Sequence, residues 1–379
     1  MKNIFFLLLT LLLIRCSSKE NNEKHIVISQ PHTSVADVVN FSDYFEIIEV
    51  INLESSDSSI IDYTHKIVFD DFYFILGGGA VYKFDKTGKY ILKVKRGEDG
   101  PNAIKNLTDL ILLKNENRLW IYDSHHRRIS QFDYNLIFEI NYDLDYPLFG
   151  LEKLETGLIG SPGYMMVVKE PYSLFRFSGK NLATGYSLEE TTMGFDIEKS
   201  DYLHIFRHDY FSELETGDLD FVNSFNDTIY NINQNGESSI KYVIDFKDKR
   251  VLEGELVNKG YTSIVDVFNY INSTDKSFNI GNIFESNNSL IYRFFNSGKP
   301  YFSIYDKKNN KLTSGQIIKF NYKGQEIAFP IDEEMRIGSF GNGKGYLSIP
   351  SESSVIGENQ KVFNTQDGDN PIIIIFNEK

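Results

Sequence analysis

The chain carries a single cysteine, Cys16, among 379 residues. No internal disulfide can form, so an exported fold of this size must be held by its apolar core rather than by cystine staples. Basic residues are also in deficit: 39 Lys and Arg stand against 53 Asp and Glu, a formal charge of −14. Such an acidic surface argues against nucleic acid and anionic lipid headgroups as partners. The apolar run at the N-terminus, Ile4 to Ile14, stops at eleven residues, well short of the roughly 20 that a spanning helix needs. No Gly-x-Ser-x-Gly nucleophile elbow occurs, and long helical periodicities are nearly absent after residue 40.

The short run is the right size for the core of a secretory signal, with Lys2 as its positive flank. It ends directly at Cys16, which resembles a bacterial lipoprotein signal, where the cysteine is lipidated and becomes the first mature residue. Arg15 departs from the small residue such signals usually carry there. The resemblance implies a signal peptide over 1–15, lipidated Cys16 with a polar tether and lead-in segment over 16–40, and one folded domain over 41–379. The stretch "SSKENNEKH" after Cys16 has the polarity of a tether. An uncleaved anchor or a non-lipidated signal is the alternative. Removing Lys2 and Arg15 with the signal takes the charge from −14 to −16, and one lipid is then the only expected membrane connection.

What is abundant points to strands: 30 Phe and 23 Tyr, with many Ile, Val and Thr, suit a pleated, half-buried surface. "VYKFDKTGKYILKV" (81–94) reads as strand, turn and strand with period-two alternation. "ISQFDYNLIFEINY" (129–142) repeats it, and Phe132 lies 48 residues after Phe84. A blurred copy at 174–188 places Phe177 another 45 residues on, and further hairpins follow at 228–246 and 301–320. A period in the forties carrying about four short strands is the signature of propeller blades. The terminal run "NPIIIIFNEK" (370–379) and "YFEIIEVINLE" (44–54) are strong buried-strand signals. They are predicted to share the last blade and close the ring, because closure hides sheet edges.

Several of these stretches, "YFEIIEVINLESSDSSIID" (44–62), "VYKFDKTGKYILKVKRGEDGPNAI" (81–104) and "FNDTIYNI" (225–232) followed by "IKYVIDFKDK" (240–249), resemble the six-bladed β-propeller lipoproteins of Bacteroidetes. The step Leu53-Glu54-Ser55 stands where that family opens its propeller. The loop "RGEDGPNAI" keeps Gly97, Gly100 and Pro101, but Asn102-Ala103 replaces the family's second Gly-Glu. The resemblance implies an all-β, single six-bladed propeller in the cell envelope. It implies no particular chemistry.

Several motifs carry residue types suited to chemistry. "GSFGNGKGY" (338–346) nearly matches a phosphate-binding loop, but Gly345 replaces the hydroxyl residue and a strand follows, so Asn342-Gly343 reads as a hairpin turn. His204 and His208 lie four apart, and on a strand that is about 13 Å, too far for one metal ion. "NTQDGDNP" (364–371) is a partial calcium loop without its downstream bidentate Glu. "DSHHRR" crowds Asp123, His125, His126, Arg127 and Arg128 into one turn. There a His could act as base with Asp123 orienting it, or Asp123 could simply cap the turn backbone, which is the favoured reading. Tyr146, Phe149 and Tyr172, in Pro-containing loops, offer faces for sugar stacking.

The expected function is therefore a non-catalytic, lipid-anchored propeller, monomeric, binding a glycan or an envelope protein at its rim. The candidate residues are Asp123, His125, His126, Arg127, Arg128, Tyr146 and Tyr172. No metal or other cofactor is expected, calcium being the one ion the acidic loop could admit. A propeller hydrolase or lyase acting on sugars or lactones, and a structural scaffold of an envelope complex, are the alternatives.

Overall fold

The computed structural model describes residues 25–30, 37–95, 97, 103–163, 172–181, 185–194, 209–223, 226–251, 255 and 264–379. The expected signal 1–15, Cys16, His204, His208 and most of the loop 96–104 lie outside these residues. Among the described residues no helix is long and apolar enough to cross a membrane.

The strands form a β-propeller of seven blades. Blade 1 is Thr64–Phe69, Phe72–Gly77, Ala80–Asp85 and Tyr90–Lys95. Blade 2 is Leu107–Leu113, Arg118–Asp123, Arg128–Asp133 and Phe138–Leu144. Blade 3 is Gly150–Leu154, Gly157–Ser161, Tyr172–Asn181 and Gly185–Gly194. Its last strand pairs in parallel with that of blade 2, fusing the two into one eight-stranded sheet. Blade 4 is Phe211–Glu213, Leu219–Phe221, Thr228–Ile232 and Ser238–Asp245, with Ile26–Ser29 added in parallel at its outer edge. Blade 5 is Ser277–Glu285, Ser289–Asn296, Lys299–Asp306 and Lys311–Gly315. Blade 6 is three-stranded, Ile317–Tyr322 and Gln325–Pro330 with Val38–Asn40. Blade 7 is Arg336–Gly341, Lys344–Ile349, Ile372–Glu378 and, outermost, Phe45–Asn52.

The count of seven corrects the expectation of six. In the sequence 301–320 reads as one hairpin, yet the structure splits it after Gly315, giving its end to a new sheet. That sheet is completed by Val38–Asn40, which arrives from the other end of the chain. Gly315 permits the approach: a Cβ there would stand 2.1 Å from the Asp37 carbonyl oxygen. The first strands of blades 1, 2, 3, 4, 5 and 7 touch in that order around the axis, while blade 6 lies outward, where Val38–Asn40 meets the last two strands of blade 5. Ile26–Ser29 and Val38–Asn40 also fall within the 16–40 stretch read as tether and lead-in, so the propeller takes up chain before residue 41.

The repeated Phe-Asp step has a physical cause. Asp85 Oδ1 accepts the amides of Thr87 and Lys89 at 2.8 and 3.0 Å, and Asp133 Oδ1 those of Asn135 and Ile137 at 2.9 and 2.8 Å. Asn233 Oδ1 does the same for Asn235 and Glu237, both at 3.0 Å. A short side-chain acceptor thus satisfies each outer hairpin turn, while the preceding aromatic or aliphatic residue enters the core.

The terminal strands do share the last blade. Ile372–Glu378 lies between Lys344–Ile349 and Phe45–Asn52. Its side chains alternate between two cores, Ile373 and Ile375 on one face, Ile372, Ile374 and Phe376 on the other. Burial on both faces is why the strand reads as an unbroken apolar run.

Candidate functional site in the central channel

Around the propeller axis the innermost strands enclose a cavity of about 110 Å³ whose lining includes Lys66, Glu152, Asp209, Glu213, Asn282 and Arg336. Lys66, from blade 1, places Nζ 2.9 Å from Asp109 Oδ1 of blade 2 and 2.7 Å from Glu152 Oε1 of blade 3. Asp109 in turn accepts the Leu110 amide at Oδ1 and the Leu151 amide at Oδ2, both at 2.7 Å, stitching blade 2 to blade 3. Burial lowers the Lys66 ammonium's affinity for its proton, but the two carboxylates outweigh it and hold that affinity above the usual range. Burial, opposed by Lys66 and reinforced by Asp109, pushes the Glu152 carboxyl up to about 7.

On the other side of the channel, Asn282 sits in the innermost strand of blade 5 with a left-handed φ of 49°. Its amide and Nδ2 donate to Asp209 Oδ2 at 2.5 and 3.0 Å, and its Oδ1 accepts the Ile337 amide of blade 7. A strained backbone at a strand centre persists only where surrounding contacts over-determine it, and here three hydrogen bonds do so.

The cavity widens at one rim into a groove of about 350 Å³ between blades 2, 3 and 4. Glu152 and Glu213 line both spaces. Glu116 and Glu155 add two more carboxylates, against Lys114 and Lys153. Lys153 Nζ is 2.6 Å from Glu116 Oε1, and Lys114 Nζ donates to the Phe340 carbonyl at 2.8 Å. Both cations are therefore engaged, and the groove presents a surplus of acceptors. Among the described residues no group of three or more His, Cys, Asp or Glu side chains is arranged to hold a metal ion.

The residues singled out in the sequence lie elsewhere. The groove is bounded by turns that follow the first strands, such as Lys114–Glu116. The turn 124–127 follows the second strand of blade 2, so the antiparallel alternation puts it on the opposite rim. Asp123 there is fully buried and accepts the amides of Lys105 (2.8 Å), Asn106 (3.1 Å), His125 (3.0 Å) and His126 (3.3 Å). The structure brings Asp123 and His126 together, with Nδ1 2.7 Å from Asp123 Oδ2. The His125 and His126 rings meet edge to face at 4.9 Å. Arg127 carries the turn's left-handed φ of 52°, and Arg128 Nη2 donates to the Ala103 carbonyl. Tyr146 packs edge-on against Phe175, and Tyr172 begins the third strand of blade 3, its side chain outside the described residues.

Burial opposes ionisation of Asp123, but the amides and His126 prevail and hold its carboxyl below the usual range. Such a group adds stability above the unfolded value, near pH 4, that is lost as pH falls through the folded one. Asp123→Ala is expected to destabilise the fold by about 3 kcal/mol, since it orphans several buried amides. The deficit, read from urea unfolding, should shrink below about pH 4. A deficit under about 0.5 kcal/mol at neutral pH would reject the capping role.

The remaining motifs resolve into turns. Residues 338–346 form the hairpin between Arg336–Gly341 and Lys344–Ile349, with Asn342 and Gly343 at φ 53° and 71°. In 364–371 Asp369 Oδ2 accepts the Gln366 amide, and Asn370 is buried as a clamp. Its Oδ1 accepts the Ile61 amide, while Nδ2 donates to the carbonyls of Glu54 and Ser59. The Leu53-Glu54-Ser55 step is thereby tied to the C-terminal loop. Lys66, Asp109, Glu152, Glu213 and Asn282 escaped sequence reasoning because each sits alone in its own strand. The one local signal was Asp109 inside the apolar run Leu107–Leu113.

Comparison with solved structures places the fold among known propellers. A Bacteroides fragilis protein named as exported matches with a TM-score of 0.72 at 14% identity, over 93% of this chain and 99% of that one. A member of the duf4221 family from Bacteroides vulgatus matches at 0.54 and 10% identity, over 88% and 98% of the two chains. At these identities the likeness shows the fold alone. No curated protein matches the chain. A family profile described as a domain of unknown function, DUF4934, matches residues 25–377, and the chain belongs to that family.

Proposed function

We propose that this propeller is an exported, lipid-anchored and non-catalytic binding module that holds a glycan in the groove between blades 2, 3 and 4. The observation that carries the reading is that groove: about 350 Å³, within the size range of ligand sites, with carboxylates converging from three blades. Glu116, Glu152, Glu155 and Glu213 supply acceptors for sugar hydroxyls or amino groups. Export and anchoring through Cys16 rest on the N-terminal sequence, as does placement in the cell envelope. The rim residues 124–128, with Tyr146 and the strand start at Tyr172, are a second contact surface for an envelope protein partner.

The test is thermal unfolding of the protein against neutral, acidic and amino-bearing oligosaccharides, with and without calcium. A saccharide held only by the native state at 100 times its Kd adds about 2.7 kcal/mol of stability. The shift should vanish in Glu213→Gln. If no saccharide moves the midpoint, the glycan reading fails and a protein partner takes its place.

One observation favours a hydrolase or lyase as the second reading. Glu152, pushed up to about 7, stands in the channel beside Asp109 and Glu213 and can deliver a proton near neutrality. New reducing or unsaturated ends from the bound saccharide, lost in Glu152→Gln, would establish that reading.

A further inference from the structure

Between blades 4 and 5 lies a buried ionic cluster that the channel does not use. Asp220, fully buried, sits in the second strand of blade 4, and Glu285 ends the first strand of blade 5. Lys241 bridges them, its Nζ 2.9 Å from Asp220 Oδ1 and 2.6 Å from Glu285 Oε2. Lys307 reaches Glu285 Oε1 at 2.5 Å, and the Tyr242 hydroxyl donates to the same oxygen at 2.8 Å. Tyr305 stands close behind Tyr242. The one Lys241 ammonium thus holds the two carboxyls side by side. Among the described residues, neither Asp220 Oδ2 nor Glu285 Oε2, both buried, accepts a hydrogen bond, Lys241 meeting the latter only as an ion pair.

Two carboxyls on one ammonium in a low-dielectric seam, each with a buried oxygen that no donor serves, are relieved when one of them holds a proton and donates it to the other. Glu285 faces two ammonium groups and a phenol. Asp220 faces one ammonium and is shut off from water. The proton therefore belongs on Asp220. In keeping with this, burial and the Glu285 charge push the Asp220 carboxyl well above its usual range. Burial raises Glu285 too, but the Asp220 hydrogen bond and both lysines overcome that and hold it down, at about 2.

We propose that this seam is a proton-operated lock: Asp220 keeps its proton and donates it to Glu285, and blades 4 and 5 part along this line when that proton passes to water. Only the O–H bond breaks, leaving a second buried carboxylate beside the first. The strand that ends in Glu285 also carries Asn282 and Ile283, which bond to Asp209, Ile337 and Ser212, so loosening here reaches the channel wall. The inference is independent of what the groove binds.

The sign follows from a carboxyl raised in the folded state. Below about pH 4 both states are protonated, and above it only the unfolded chain releases the proton. Each further pH unit then lowers the folding constant tenfold through this site, until the folded carboxyl itself titrates. The experiment is urea unfolding of the full chain and of Asp220→Asn at several values between about pH 5 and about pH 8. Asn cannot ionise but keeps a donor toward Glu285, so the variant should gain on the wild type by up to tenfold per unit as pH rises. A gap that does not change with pH overturns the lock. Should the variant not fold, the infrared spectrum of the native wild type at about pH 8 decides, since Glu152 has largely released its proton there. A protonated-carboxyl stretch that is lost in Glu285→Gln is expected, and absence of that band in the wild type overturns the proposal.

Discussion

Phe376→Ala should destabilise the propeller by about 4 kcal/mol, the middle of the range for removing a buried aromatic ring. Phe376 is fully buried in the strand that joins the two ends of the chain. Its ring lies 4.9 Å from Phe41, 5.1 Å from Phe45 and 5.1 Å from Phe284, so N-terminal segment, C-terminal strand and blade 5 meet on one side chain. The site cannot collapse onto the void, because ladders on both sides hold the strand. Gly345 behind the ring shows how tight the packing is: a Cβ there would stand 2.2 Å from the Phe376 ring. Phe376→Leu, which keeps most of the volume, should cost only about 1.5 kcal/mol. Urea midpoints of the two variants provide the check. Equal losses for Ala and Leu would mean that the ring's bulk does not fasten the closure.

Lys66→Met should cost about 3–5 kcal/mol, the penalty for removing one partner from a buried ion pair. Among the described residues Lys66 is the only cation bonded to Asp109 and Glu152, and the Asp109 side chain is 4% exposed. Methionine preserves the chain length but strands two carboxylates in a low dielectric. With the cation gone, Glu152, already pushed up to about 7 by burial, must rise further. A carboxyl raised in the folded state loses stability as pH climbs, so the deficit of the variant should widen above about pH 7 and narrow again as pH falls back to it. The triple variant Lys66→Met/Asp109→Asn/Glu152→Gln, which leaves no charge behind, should recover most of the loss. A single-variant deficit below about 1 kcal/mol, or one that ignores pH, would show that water reaches the network and screens it.

The sequence alone determined the strand content, the outer hairpin turns and the apolar character of the two closing strands, because each depends on neighbours a few residues apart. Period-two alternation places Phe84 and Phe132 in the core, and the next residue in each case caps a tight turn. The capping role of Asp123 was legible for the same reason, since its acceptors and donors lie within one turn and the adjoining strand end. Tertiary structure decided the rest. The seventh blade depends on Val38–Asn40 pairing with Ile317–Tyr322 from the far end of the chain, and no local spacing announces such a partner. The channel takes one polar residue from each of several blades, so Lys66, Asp109 and Glu152 form no motif until the ring brings them together. Charge state was the least legible property of all. The Asp220 and Glu285 carboxyls differ by one methylene in sequence, and burial together with the placing of two lysines sends their proton affinities in opposite directions.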